Sequence, residues 1–211
     1  MIQVSLHYIA HNEKPGAPLL LLLHGYGSNE QDLLGLAPYL DARLMCVGAR
    51  APYALDFGGF AWFNIDMRPE GIDFDFDEAR QSLQQVFALV EALAAEYQPS
   101  KLFVGGFSQG ASMALAVALQ QPDRFAGALA LSGLYDEALM PEDRETVRGF
   151  KVFVSHGVQD PVIPIAQARA AQALLDPLGL DMVYNEYDMP HAIDQACLKD
   201  IAAWLRARLD E

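Results

Sequence analysis

Short apolar runs recur along the chain, and each is bounded by polar or turn-forming residues. Five of them are almost continuously apolar: residues 19–23, 44–48, 102–105, 126–131 and 151–155. Runs of this length without alternation are typical of strands that are buried on both faces of a sheet. Residues 181–187 alternate more, which predicts a strand nearer the sheet edge, and residues 4–9 predict an early antiparallel strand.

Between these runs, the apolar residues change to a spacing of three and four. The first such stretch runs from Leu83 to Tyr97, and Pro99 lies just beyond its end, as expected for an amphipathic helix. Further helices are predicted over residues 108–120, 165–175 and 192–209. The alternation of strand and helix predicts an α/β fold whose mostly parallel strands are joined by right-handed crossovers.

Residues 51–73 fit neither period. They contain glycines at 58, 59 and 71 and aromatic residues at 53, 57, 60, 62 and 63. A long loop in a small domain is often functional. Pinning of the loop to the core by its own aromatic side chains explains the same composition equally well.

The length and composition favour one folded domain. The 211 residues are 52% hydrophobic and 20% charged, which is typical of a globular chain and excludes disorder. Since a domain holds about 150 residues, the length predicts a single α/β domain over residues 1–211. The amphipathic face of residues 83–97 either packs into the core or forms a homodimer surface.

The net charge of −14 bears on partners. So acidic a chain has no general attraction for nucleic acid or anionic membranes. The acidic residues are dispersed, which favours a solvated surface over an acidic docking face.

The N-terminus lacks a signal-peptide pattern, and its longest apolar run is far below the roughly 20 residues of a membrane span. We therefore expect a cytoplasmic protein without stable membrane insertion. Cys46 and Cys197 are predicted to be buried thiols, because they have no metal-binding spacing.

The strongest chemical signal is Gly106-Phe107-Ser108-Gln109-Gly110. The pattern G-x-S-x-G is weak alone, but here it follows a predicted strand and opens a predicted helix. In that setting the serine is presented on a tight turn as a nucleophile. A phosphate-binding loop is a rival interpretation, but its G-x-G-x-x-G and Lys-Ser or Lys-Thr patterns are missing. A purely structural turn with Ser108 as helix N-cap is another alternative.

A serine nucleophile needs a base, and two histidines follow Ser108 in the chain: His156 and His191. His191 lies between the last predicted strand and the last predicted helix, at the same sheet edge as the turn. His156 precedes any suitable acid. In this architecture the order is serine, acid, histidine, so we expect His191 to be the base. His156 is interpreted as a hydrogen-bonded wall residue.

The acid that orients this base is expected at Asp160, which follows a glycine-containing turn and precedes Pro161. Asp188 and Asp194 compete for the role because they lie near His191 in sequence. Asp188 and Asp194 would approach the His191 ring from its own strand end, whereas Asp160 approaches it from the end of a neighbouring strand. This geometry favours Asp160 over both.

An acyl-transfer site also needs hydrogen-bond donors for the oxyanion. The Gln109 N–H, directly after the serine, is one candidate. The Tyr26 N–H in His24-Gly25-Tyr26-Gly27 is the other, because this glycine-containing turn follows the run 19–23. His24 is interpreted as a strand-end residue that holds this turn.

Four motifs in this order carry a resemblance to a known family: HGYG at 24–27, GFSQG at 106–110, HGVQDPVIP at 156–164 and MPH at 189–191. They resemble the phospholipase/carboxylesterase family, the acyl-protein thioesterase-like branch of the α/β-hydrolases. AWFN at 61–64 resembles the family's Trp-Phe-Asp segment, with Asn64 where aspartate is common. The resemblance runs from about residue 19 to the C-terminus.

This resemblance implies a three-layer α/β-hydrolase fold with a mostly parallel sheet of eight strands or slightly fewer. The short segment at residues 134–145 leaves no room for a cap domain. The resemblance also implies a Ser-His-Asp triad, no metal or organic cofactor, and hydrolysis of small-molecule esters or thioesters. The residue roles that it implies are as follows: Ser108 nucleophile, Asp160 acid, His191 base, Tyr26 and Gln109 oxyanion donors, Trp62 near the acyl pocket and Val162 lining it.

We expect a carboxylesterase that acts on small to medium acyl groups. An acyl thioesterase or lysophospholipase on the same scaffold is the alternative, and lactone or peptide substrates stay open. A non-catalytic ligand-binding protein is disfavoured because all three triad residues are present in order. Tyr26 stands where the family often has leucine, so the pocket beside it is expected to be narrower or more polar.

Overall fold

The apolar runs of the sequence assemble into one central sheet. The computed structural model describes residues 6–68 and 71–211. Its strands are β1 Tyr8–His11, β2 Leu19–Leu23, β3 Met45–Ala49, β4 Tyr53–Ala54, β5 Phe60–Ala61, β6 Ile65–Arg68, β7 Gly71–Phe74, β8 Leu102–Phe107, β9 Gly127–Leu131, β10 Lys151–Gly157 and β11 Asp181–Tyr187. Seven of them form the sheet in the order β1-β3-β2-β8-β9-β10-β11. Only β1 is antiparallel to its neighbour; the other pairs are parallel.

Helices cover both faces of this sheet. They are α1 Phe76–Tyr97, α2 Gln109–Gln120, α3 Ile165–Ala173 and α4 Gln195–Asp210. The five leucines of β2 show why both faces need cover, because every one is buried and alternate side chains point to opposite sides. Leu19, Leu21 and Leu23 pack in the cluster that holds α1 and α2. Leu20 and Leu22 pack with α4 and the 3-10 helix Leu33–Tyr39. The predicted three-layer α/β-hydrolase fold with a mostly parallel sheet is confirmed.

Element boundaries differ from the predicted ones mainly at the sheet edge that carries the candidate site. β8 and β10 run two residues further than expected, to Phe107 and Gly157. α4 begins at Gln195, because the Asp194 side chain caps it by accepting from the Cys197 N–H at 2.8 Å. The early strand predicted over residues 4–9 is β1, which begins four residues later and ends two residues later. Residues 4 and 5 lie outside the described residues.

Residues 51–73 are more regular than the sequence indicates. They form two antiparallel hairpins, β4–β5 and β6–β7, apart from the central sheet. Two-residue strands are too short to show a period, which is why the pattern missed them; residues 69 and 70 lie outside the described chain. The connection from β9 to β10 contains only the 3-10 turns Glu137–Leu139 and Arg144–Val147, and no cap domain. Among the described residues, no helix is long and apolar enough to cross a membrane.

Candidate active site

Ser108 lies on a strained turn between β8 and α2. Its backbone has φ 55° and ψ −119°, a conformation that non-glycine residues adopt only where surrounding structure enforces it. A 2.8 Å hydrogen bond from the Ser108 N–H to the Leu131 carbonyl holds the turn against β9. A Cβ at Gly106 would lie 2.0 Å from the Gly110 oxygen. The close packing of helix on strand therefore requires glycine, and it presents Ser108 at the C-terminal edge of the sheet.

His191 and Asp160 meet at this edge. His191 Nδ1 lies 2.6 Å from Asp160 Oδ2, and the carboxylate is fully buried while the imidazole is 15% exposed. Asp160 Oδ1 accepts from the N–H groups of Val162 and Ile163, each at 2.8 Å. An ionised carboxylate only accepts hydrogen bonds, so His191 Nδ1 is the donor and its Nε2 is left for other partners. The His191 ring also packs on the Phe107 ring, with centroids 4.8 Å apart.

The competing residues have other partners. Asp188 accepts from the Gln159 amide at 2.5 Å, and Asp194 caps α4. His156 is buried beneath the site, and its Nε2 lies 2.8 Å from the Ile163 carbonyl oxygen. The structure therefore brings Asp160, rather than either neighbour of His191 in sequence, to the histidine.

The two residues proposed to supply the oxyanion donors, Tyr26 and Gln109, line one cleft together with Ser108. Among the described residues, neither the Tyr26 N–H nor the Gln109 N–H donates a hydrogen bond to the protein, so both are free for a substrate. The loop that carries Tyr26 is held by two 2.9 Å bonds, from the Gly27 N–H to the Phe60 carbonyl and from the Phe60 N–H to the Ser28 carbonyl. Pairing with β5 thus fixes the position of the loop.

The Gln109 side chain has a second function that the sequence did not reveal. Its Oε1 accepts from the Trp62 N–H at 2.8 Å, and its Nε2 donates to the Phe63 carbonyl at 2.7 Å. The amide thereby joins the segment between β5 and β6 to the first turn of α2. This contact spans 47 and 46 positions in the chain, and no local pattern signals it.

Trp62 lies beside the cleft, next to Phe63, which forms part of its wall. The Trp62 side chain itself is fully buried and is not part of that wall. Its Nε1 donates to the His24 carbonyl at 2.8 Å, and its ring packs on the His24 ring. Trp62 thus supports the loop that carries Tyr26, and a role of Trp62 in substrate binding stays a prediction.

His24 is held as a neutral imidazole. Its Nε2 accepts from the Ala51 N–H at 3.1 Å, so its Nδ1 is the donor to the Gly25 carbonyl at 2.7 Å. Burial lowers the pKa of His24 below its usual value of 6.5, because the charged form loses hydration. Both ring nitrogens are used within the fold, which matches its interpretation as a strand-end residue.

A cleft of about 420 Å³ opens at this edge. It is lined by Tyr26, Phe63, Ile65, Phe74, Ser108, Gln109, Ser112, Leu134, Val162, Ile163 and His191. Val162 is 46% exposed at its rim. The predicted Ser108, His191, Tyr26, Gln109 and Val162 thus share one cleft, to which the hairpin β6–β7 adds apolar walls that the sequence missed. The described lining includes no Lys or Arg, and no metal-binding cluster was found among the described residues.

The sheet order, the strained serine turn and the acid–histidine pair define an α/β-hydrolase. The sequence profile of the Phospholipase/Carboxylesterase family matches residues 5–209. The chain belongs to that family and is a carboxylesterase-type hydrolase.

Similar proteins agree with this assignment. Acyl-protein thioesterase 1 of Kluyveromyces lactis is 31% identical over 221 residues, which cover 95% of this chain and 96% of the relative. Esterase YpfH of Escherichia coli is 32% identical over 208 residues, covering 92% of this chain and 84% of the relative. The crystal structure of a Bacillus cereus carboxylesterase matches with a TM-score of 0.83 at 22% identity, covering 98% of this chain and 96% of that chain, which supports the fold.

Proposed function

We propose that the chain hydrolyses neutral carboxylic esters of small to medium acyl groups through Ser108, His191 and Asp160. The observation that carries this proposal is the 2.6 Å pair of His191 and the buried Asp160, in which His191 shares an apolar cleft with a serine on a strained turn. Nucleophile, base and orienting acid are the three parts that acyl transfer by serine needs.

The reaction would have two steps. In the first, Ser108 Oγ attacks the ester carbonyl while His191 Nε2 takes its proton, and the Tyr26 and Gln109 N–H groups stabilise the oxyanion. The carbon–oxygen bond to the leaving alcohol then breaks, and the imidazolium protonates that alcohol. In the second step, His191 takes a proton from water, the resulting hydroxide attacks the acyl-enzyme, and the acid and Ser108 Oγ–H are released. Asp160 holds the tautomer throughout.

The walls of the cleft support an apolar acyl group. Phe63, Ile65, Phe74 and Leu134 lie along it, and burial of each methylene of an acyl chain contributes about 0.8 kcal/mol. The absence of Lys and Arg from the described lining favours a neutral substrate over one with an anionic head group near the serine.

Thioester hydrolysis is the second candidate, because one of the relatives is named an acyl-protein thioesterase. The same chemistry would serve, since His191 can protonate either leaving group. Ethyl butyrate and ethyl thiobutyrate differ only in the leaving atom, so the ratio of their kcat/KM values decides between the two. Esters of graded chain length, together with a lysophospholipid, would define the acyl range.

Labelling with a fluorophosphonate tests the nucleophile. Wild type should be labelled stoichiometrically at Ser108, and Ser108→Ala should neither label nor turn over, with kcat reduced by at least about 10³-fold. Ser112→Ala is the matched control, since Ser112 also lines the cleft but sits one helical turn away. Equal labelling of wild type and Ser108→Ala would show that the nucleophile is misassigned.

A further inference from the structure

A second histidine touches the acid of the proposed triad, and the mechanism above gives it no role. His156, on β10, has a side chain only 2% exposed, and its Nε2 lies 3.3 Å from Asp160 Oδ2. The same nitrogen lies 2.8 Å from the Ile163 carbonyl oxygen. The Ile163 carbonyl can only accept, so Nε2 carries a proton that it donates there. The same N–H lies close to the Asp160 carboxylate.

The position of this N–H matters because of the oxygen that it approaches. Asp160 Oδ1 is already held by the Val162 and Ile163 N–H groups. Oδ2 is the atom that accepts from His191, and it is also the atom that His156 approaches. His156 therefore holds the far end of the 160–163 turn to strand β10, and its N–H lies beside the carboxylate oxygen that faces His191.

The charged group on the other side of His156 has its own partners. Glu186 lies opposite His156 in the register between β10 and β11. Its carboxylate makes two 2.7 Å bonds with Arg169 and a third, at 3.0 Å, with the Tyr184 hydroxyl. The His156 N–H is thus directed to the Asp160 side, where its two acceptors lie.

We propose that His156 is a positioning residue for the triad. Its Nε2–H fixes the 160–163 turn and orients the Asp160 carboxylate so that Oδ2 faces His191 Nδ1. This inference rests on the proposed function, because it concerns the efficiency of His191 as the base. Loss of this N–H would leave Asp160 held by the Val162 and Ile163 N–H groups, but it would loosen the 160–163 turn and so the alignment of Oδ2 with His191.

Two variants test the proposal. His156→Leu removes the donor and keeps an apolar side chain of comparable size, whereas His156→Gln supplies an amide N–H near the same place. Turnover is measured per active site, with the sites counted by fluorophosphonate labelling. We expect His156→Leu to lower kcat by about 10- to 100-fold with little change in KM, because small misplacement of a catalytic group has effects of this size. His156→Gln should restore most of the loss.

Two outcomes would overturn the proposal: unchanged kcat per labelled site in His156→Leu, or equal loss in His156→Gln and His156→Leu. A purely structural role would lower the melting temperature and the number of labelled sites, but not kcat per site.

A measurement on the unaltered protein covers the case in which His156→Leu fails to fold. Nitrogen-15 NMR of the histidine rings should show His156 protonated at Nε2, and an Nε2 without a proton would contradict the proposal. If wild type is not labelled at Ser108, the proposed function fails instead, and the NMR result still stands for the His156 contact.

Discussion

At the scale of single residues, Gly110 decides how closely α2 approaches the sheet. A Cβ at this position would lie 2.0 Å from the Leu23 carbonyl oxygen and 2.5 Å from that of His24. Both are backbone atoms, so no side-chain rotation can relieve the collision, and the first turn of α2 would have to move. That turn adjoins Ser108, the proposed nucleophile, and carries the Gln109 N–H.

We therefore expect Gly110→Ala to lower the free energy of unfolding by at least about 1–3 kcal/mol and to lower kcat as well. Gly35→Ala is the matched control, because no atom lies within 4 Å of a Cβ there, and its effect should stay within about 0.5 kcal/mol. Urea unfolding and labelled-site kcat measure both changes. A Gly110→Ala variant with unchanged stability and activity would contradict the proposal that α2 must pack this closely against the sheet.

Residue identity was predictable where chemistry demands a specific group at a specific spacing. Ser108, Asp160 and His191 were predicted as a triad from their order and from the strand ends that precede them, and the structure places the last two 2.6 Å apart. The sequence did not show that the Trp62 side chain is buried while that of Phe63 lines the cleft, because an aromatic residue beside a cleft and one behind it look alike in sequence. The bonds of Gln109 to Trp62 and Phe63 depend on tertiary packing and leave no local signal.

At the scale of elements, the fully buried strands were the most predictable. β2 has the predicted bounds and β3 is shifted by one residue, because unbroken apolar runs mark a sheet covered on both faces. The partly buried edge strand β11 also has its predicted bounds. The hairpins β4–β5 and β6–β7 were missed. Their strands have two or four residues, and the polar residues among them are explained only once the hairpin is placed beside the cleft.

Near the loop that carries Tyr26, the segments that follow β2 and β3 are joined by an ion pair whose carboxylate is buried. Glu30, after β2, makes bonds of 2.6 and 2.7 Å with Arg50, which follows β3, and the Glu30 side chain is only 4% exposed. Hydrogen bonds from Arg50 lower the pKa of Glu30 from 4.5 to about 2. The Arg50 guanidinium also lies 4.7 Å from the centre of the Phe60 ring, on the strand that holds the loop of Tyr26.

This pair should make stability depend on pH in a defined window. Because the folded pKa of Glu30 is lowered, its stabilisation is complete above its usual pKa and is lost as pH falls from 4.5 to about 2. Glu30→Gln should lower the free energy of unfolding at pH 7 by about 1.5–3 kcal/mol, and its difference from wild type should shrink across that window.

Urea unfolding at a series of pH values measures this difference. Glu145→Gln is the control, because its pair with Arg148 is exposed on the surface and should change stability little. A Glu30→Gln difference that is independent of pH would contradict a stabilising role of the Glu30 charge.

At the scale of the whole molecule, the charge of −14 is not offset near the cleft. Many of the basic side chains are engaged by acidic partners, among them Arg43, Arg50, Arg80, Arg124, Arg144, Arg148, Lys151 and Arg169. With no Lys or Arg in the described lining of the cleft, an approaching anion meets the net negative field of the protein and no local cation. We therefore expect the charge to disfavour anionic substrates.

A pair of substrates separates this effect from binding in the cleft. The monoester of p-nitrophenol with glutaric acid ends in a carboxylate, whereas p-nitrophenyl hexanoate has a similar length and no charge. Salt screens charges over about 10 Å at 0.1 M ionic strength. We therefore expect kcat/KM for the anionic ester to rise severalfold between roughly 0.01 and 0.3 M NaCl, while that for the neutral ester stays nearly constant. A fall of kcat/KM with salt for the anionic ester would instead show that a positive field guides substrates to Ser108, and the preference for neutral esters would have to be abandoned.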